Sequence, residues 1–154
     1  MTPPAASDAV VVDASVAVKW VVKEDGSEAA ARLLDGRALY APQLILVEAA
    51  NALWAMQKRG AITADDGADA LDRLVSAPWS MLADASDLVG QAFRLARMLD
   101  HPVYDCVYLA LAMERRAPVV TADRRLLAAA GRDPDVAVLV RSLHDVGAEE
   151  GGTG

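Results

Sequence analysis

The chain has 154 residues, 54% hydrophobic and 24% charged, which fits one ordered domain with a continuous core and excludes a chain disordered throughout or two cores joined by a linker. A formal net charge of −7 argues against holding nucleic acid by blanket phosphate neutralisation, so a polyanion substrate needs a bound cation, a basic partner or a local arginine patch. The apolar stretch 9–22 is broken by Asp13 and Lys19 and has no basic segment ahead of it, so neither a signal peptide nor a membrane span is expected and the protein is assigned to the cytoplasm.

Residues 9–12 are a β-branched apolar run ending at Asp13, the pattern of a buried strand, and a helix is expected over 15–22. Ser27 is expected to cap a helix over 27–34. A second strand over 38–41 stops at Pro42, which predicts the first residue of a helix to Arg59, ended by Gly60. Thr63 with Asp65 and Asp66 predicts a capped helix whose apolar face is Leu71, Leu74 and Val75. Residues 79–83 predict a third strand, and Leu88, Val89, Ala92, Phe93 and Ala96 keep helical spacing as far as Leu99, before His101-Pro102 breaks it. An almost wholly apolar helix is expected over 103–113, a strand over 119–121, a helix from Asp123 to Ala130 and a last strand over 136–140.

This alternation predicts an α/β fold, a mainly parallel sheet of about five strands covered on both faces. Residues 1–8 are expected to be a tail, 9–143 the domain and 144–154 a disordered tail. The single cysteine, Cys106, has no partner for a disulfide and is expected to be a buried small hydrophobe.

In open α/β sheets ligands bind beyond the carboxyl ends of the strands, and Asp13 and Asp123 follow two such ends. Each alone is equally a helix cap. Glu48 lies among Leu44, Ile45, Leu46, Val47, Ala49 and Ala50, a helix with no polar face, so burial is expected, with Asn51 on the same side to orient it. Asp105 stands in VYDCVYLALA, where the helix dipole is too weak to compensate a buried charge. Four converging carboxylates would repel one another unless a divalent cation held them together. All-oxygen ligation suits Mg²⁺ or Mn²⁺, whereas zinc would want His and Cys; His101 and His144 are expected at the surface.

Such a site supports phosphodiester hydrolysis, with Glu48 or Asp123 orienting or deprotonating the attacking water. Ser15 and Thr121 are expected either to hold water or phosphate or to act as caps. Arg115, Arg116, Arg124 and Arg125 are either a local patch for a polyanion or ordinary solvated helix ends.

Four segments, VVVDASVAVKW, APQLILVEAANALW, HPVYDCVYLALA and VVTADRRLL, resemble in order and spacing the four blocks of the PIN domain over about residues 10–126, most of all those of VapC-type toxins. The resemblance implies a Rossmann-like PIN fold, Mg²⁺-dependent cleavage of RNA, a VapB-type antitoxin that folds over the site, and a homodimer or a hetero-oligomer with the antitoxin. It maps the family's acids to Asp13, Glu48, Asp105 and Asp123, accompanied by Asn51 and Thr121. Asp13 and Asp105 are then the expected metal ligands, with Glu48 and Asp123 completing the pocket and handling the water. Cys106 stands where Ala is common and Leu126 where an aromatic is frequent; neither change removes a charge.

Only the resemblance points to RNA, since an acidic metal pocket cuts DNA as readily. A haloacid-dehalogenase-type phosphatase needs a second Asp where Ser15 stands, and a receiver domain needs a lysine near the chain end, yet none follows Lys58. A catalytically silent PIN-fold module acting through its partner remains the non-enzymatic alternative; an inactive relative is expected to lose one of the acids, and all are present.

Overall fold

The computed structural model describes residues 9–150, with side chains as far as residue 146. Five short strands, β1 (Val10–Val12), β2 (Leu39–Pro42), β3 (Met81–Ala83), β4 (Val119–Thr121) and β5 (Val140–Ser142), form one sheet in the order β3-β2-β1-β4-β5. All four pairings are parallel, with Val11 opposite both Tyr40 and Val119. The valines of β1 and β4 are buried on both faces, as strands enclosed by crossover helices must be.

The helices are α1 (Ala14–Val21), α2 (Ser27–Ala31), α3 (Leu44–Lys58), α4 (Ala64–Val75), α5 (Val89–Leu99), α6 (Val103–Arg115), α7 (Arg124–Ala130), α8 (Pro134–Ala137) and α9 (Leu143–Glu150). Helices α1 to α4 pack together, while α5 lies on α6, and α6 against β1, β2 and β4. The expected α/β sandwich with a parallel five-stranded sheet is what forms. Sheet order reverses beside β1, so the crevice beyond the ends of β1 and β4 is the topological switch point.

Several local expectations fail for identifiable reasons. Pro42 closes β2 rather than opening α3, whose N-cap is Gln43. Ser27 is the first residue of α2, not its cap; Gly26, at φ +88, takes that place, and the Ser27 hydroxyl instead accepts from the Glu24 amide and donates to the Val22 carbonyl. The third strand begins at Met81. The run expected as the last strand is spent on α8, which Asp133 caps and Pro134 starts, and the strand follows at Val140–Ser142.

Val75, Val89 and Phe93 are exposed; Leu88, Ala92, Leu95 and Leu99 form the buried stripe of α5, and Ala70 and Leu74 that of α4. The expected tail from residue 144 begins with helix α9, anchored by Leu143 and Val146 in the core; residues 1–8 and 151–154 fall outside the described residues. Gly60 ends α3 as expected, at φ +79 and with its amide on the Gln57 carbonyl. Thr63 caps α4 through the Asp66 amide. Among the described residues no helix is long and apolar enough to cross a membrane.

Candidate active site

The first valine strand delivers Asp13 to the switch point. Its amide still bonds the Val120 carbonyl at 3.2 Å, and the chain then turns into α1, with Oδ1 accepting from the Ala14 amide at 2.7 Å. Oδ2 accepts from the Ser15 hydroxyl at 2.8 Å and the Thr121 hydroxyl at 2.7 Å. Each hydroxyl also accepts a backbone amide, Ser15 from Ala122 and Thr121 from Asp123, both at 3.0 Å. Ser15 and Thr121 therefore tie the ends of β1 and β4 together around Asp13, and both are committed to protein groups rather than presented to a ligand.

Asp13, Glu48, Asp105 and Asp123 line one open cleft of about 350 Å³, together with Ser15, Lys19, Glu24 and the apolar Ala52 and Met56. Asp123 caps α7, accepting from the Arg125 amide at 2.8 Å. Burial raises the Asp13 pKa above its ordinary value, against the bonds from Thr121 and Ser15, and the Asp105 charge raises it further. Glu48 is raised by burial too, against a hydrogen bond from Tyr108, and then by Asp13 and Asp105. Three of the acids thus feel one another, while Asp123 shares the cleft.

The surroundings of Glu48 and Asp105 differ from expectation. Both are half-buried, because the exposed face of α3 carries apolar residues such as Val47 and Trp54 and apolar sequence alone does not say which side turns inward. Asn51 is exposed and outside the cleft lining; the hydroxyl that orients Glu48 belongs to the buried Tyr108, at 2.7 Å. His101, expected at the surface, is 10% exposed and places Nε2 2.6 Å from Asp105 Oδ2.

Tyr108 and His101 are the residues that sequence reasoning missed. Their signals were present: a tyrosine buried in an apolar helix needs a partner for its hydroxyl, and His101 precedes Asp105 by four residues, with the Pro102 break obscuring the spacing. His144 is exposed, as expected, and Cys106 is fully buried, its thiol pushed up to about 11 by burial and then by Asp105.

The four arginines do not make one patch. Arg115 and Arg116 end the helix that enters β4, Arg124 and Arg125 follow its exit, and Arg115 sits over the Tyr40 ring at 5.5 Å. A larger cleft beside α4 is lined by Asp66, Asp69 and Asp72, but these acids are exposed on one helix surface, where water satisfies them.

The PIN domain family model matches residues 10–132. Ribonuclease VapC3 of Pyrobaculum aerophilum is 32% identical over 123 residues, spanning 76% of this chain and 91% of that protein. The crystal structure of PAE2754, also from Pyrobaculum aerophilum, superposes with a TM-score of 0.67 at 20% identity, covering 99% of this chain and 95% of that one, and speaks for the fold. A match that opens on the first strand and runs past the helix led by Asp123 makes the kinship plain: this chain belongs to the PIN-domain family, among its VapC-type members.

Proposed function

We propose that the protein is a metal-dependent endoribonuclease and the toxin of a VapBC-type pair. The observation that carries this is a cleft lined by four carboxylates, in which burial and then the neighbouring acids raise the proton affinity of Asp13 and Glu48, while its lysine is bound to Glu24 and the Asp25 carbonyl. A hard cation is the natural counter-charge for such a set.

The donors present fit Mg²⁺, with Mn²⁺ as a substitute. The acids are all oxygen donors, the Cys106 thiol is buried and protonated, and His101 lies outside the cleft lining with its Nε2 engaged by Asp105. Among the described residues no three His, Cys, Asp or Glu side chains form a group able to hold an ion alone. That is unlike a closed zinc cage, and it suits an ion that keeps several waters and takes one or two carboxylates together with substrate phosphate.

Asp13 and Asp105 would hold the ion. When bound, it supplies Lewis-acid polarisation of the phosphate and a more acidic water. Thr121, Ser15 and the Ala14 amide fix both oxygens of Asp13, and His101 fixes Asp105. Tyr108 holds one oxygen of Glu48, so Glu48 is left to receive a proton from, or orient, the attacking water, with Asp123 completing the same cleft.

The curated relative's name, a ribonuclease, favours RNA over DNA. In the same reading the protein works in the cytoplasm, as a homodimer or in a hetero-oligomer with a VapB-type antitoxin whose basic segment covers the acidic cleft. Protein freed of antitoxin should cleave RNA with Mg²⁺ and stop in EDTA, and Asp13→Asn or Asp105→Asn should abolish cleavage in folded protein. Cleavage that survives EDTA or either substitution overturns the metal mechanism; cleavage of DNA in place of RNA overturns the substrate. Pulldown with the neighbouring reading frame, followed by light scattering, tests the partner and the assembly.

A further inference from the structure

Among the residues that line the acidic cleft, the basic side chain is Lys19. It follows Ser15 by four residues on α1, so it shares that helix face and sits about 6 Å further along the axis from the acids at the strand ends. Its side chain is only 15% exposed, and Nζ donates to Glu24 Oε1 at 3.2 Å and to the Asp25 carbonyl at 2.7 Å. The stem passes close to Gly26, where a Cβ would stand 3.3 Å from both Cδ and Cε. An ammonium has three donors, so this geometry aims the group and leaves capacity for another acceptor.

The charge of Lys19 is not directed at the acids of the pocket floor. Its ammonium is bonded to Glu24 and the Asp25 carbonyl, while the partners of Asp13 and Glu48 are the Ala14 amide and the Ser15, Thr121 and Tyr108 hydroxyls. Among the described residues that line this cleft no other side chain is basic; Arg115 and Arg116 precede β4, and Arg124 and Arg125, which follow Asp123, are not part of the lining. A strand of polyanion entering a protein of net charge −7 needs one attractive point beside its scissile phosphate, and a compact ammonium is suited to phosphate as a point charge.

We propose that Lys19 contacts a backbone phosphate next to the scissile one, exchanging Glu24 for that phosphate when the RNA strand enters. This rests on the nuclease reading above. The competing role is structural: a pin between α1 and the loop 24–26. The two roles differ in what Glu24 does. If Lys19 serves only as a pin, removing either partner loosens the same contact and acts in the same direction, Lys19 more strongly because it also holds the Asp25 carbonyl; if Glu24 is a competitor for the phosphate site, removing it helps binding.

The test measures RNA cleavage against salt for wild type, Lys19→Met, Lys19→Arg and Glu24→Gln, and the binding of a fluorescent single-stranded RNA by the same changes in Asp13→Asn protein. Lys19→Met is expected to act mainly on KM, raising it about ten-fold, and to lower the slope of log affinity against log salt by about 0.7, one single-strand phosphate contact. Lys19→Arg should retain most affinity, and Glu24→Gln should lower KM. An unchanged salt slope in Lys19→Met, or a KM raised by Glu24→Gln as well as by Lys19→Met, overturns the proposal. So does a Lys19→Met protein that loses only antitoxin binding. Wild type that binds RNA with this lysine dependence but never cleaves it overturns the nuclease reading alone; wild type that cleaves RNA regardless of Lys19 overturns this inference alone.

Discussion

The Tyr108 hydroxyl donates to Glu48 Oε1 at 2.7 Å, joining α6 to α3 across 60 residues of sequence. Tyr108 is fully buried, and burial together with the Glu48 and Asp13 charges pushes its pKa far up, so it stays a donor at every working pH. The bond offsets part of the burial and repulsion that raise the Glu48 pKa. It therefore does two things: it holds the carboxylate in one orientation and favours its charged, proton-accepting form.

Tyr108→Phe keeps the ring volume and deletes the donor. A hydrogen bond to a charged group contributes about 1.5 to 3 kcal/mol, so kcat for RNA cleavage should fall by about ten-fold or more, with KM moving less. Steady-state kinetics beside a thermal melt checks this; an unchanged kcat in a folded variant would remove Tyr108 from the account of Glu48.

Asp13 and Glu48 set a pH dependence on the metal-free protein. Burial first, and then neighbouring acids, hold both folded pKa values above their ordinary values of 3.8 and 4.5. The native state then binds more protons than the unfolded chain, so the stability these groups contribute is present below the ordinary values and lost as pH rises through the raised ones. Asn caps a helix as well as Asp, so Asp13→Asn should melt at a higher temperature than wild type near neutral pH in EDTA, and the gap should close on acidification. A gap independent of pH would contradict the raised Asp13 pKa. Mg²⁺ should raise the wild-type Tm at neutral pH by mass action and leave the variant nearly unmoved.

Thr121 is fully buried, donates to Asp13 and accepts the Asp123 amide. Thr121→Val is nearly the same shape but leaves both groups short of a partner, which costs about 1 to 3 kcal/mol. Denaturant unfolding should show that loss, and activity should fall with it because Asp13 and Asp123 both lose a fixed neighbour. Stability equal to wild type would mean that water replaces the hydroxyl.

His101 orients Asp105 through Nε2 at 2.6 Å. Removal of such a partner of a ligating carboxylate weakens metal binding by about 10- to 100-fold. His101→Ala should accordingly need more Mg²⁺ for half-maximal cleavage, read by titration, and excess Mg²⁺ should restore part of the rate. A wild-type Mg²⁺ requirement would leave Asp105 positioned by α6 alone.

Alternation of apolar strands with helices was enough to read the parallel α/β architecture, because burial on both faces leaves β1 no polar position and β4 only Thr121 at its end. The acids were legible for the same reason: Asp13 and Asp123 stand at strand exits, and Glu48 and Asp105 interrupt apolar helices. Which face of a helix turns inward was not legible where apolar residues surround it, and so Val89, Phe93 and Val47 face solvent while Glu48 and Asp105 are only half-buried. Partners distant in sequence, such as Tyr108 for Glu48 and Thr121 for Asp13, were decided by the sheet order and by the packing of α3 and α6 over it. The chain's local chemistry determined which charges it carries and at which element ends. Only the tertiary structure decided which of them meet, since hydrogen bonds of about 2.7 Å between residues 60 and 108 positions apart depend on how whole elements pack rather than on any local pattern.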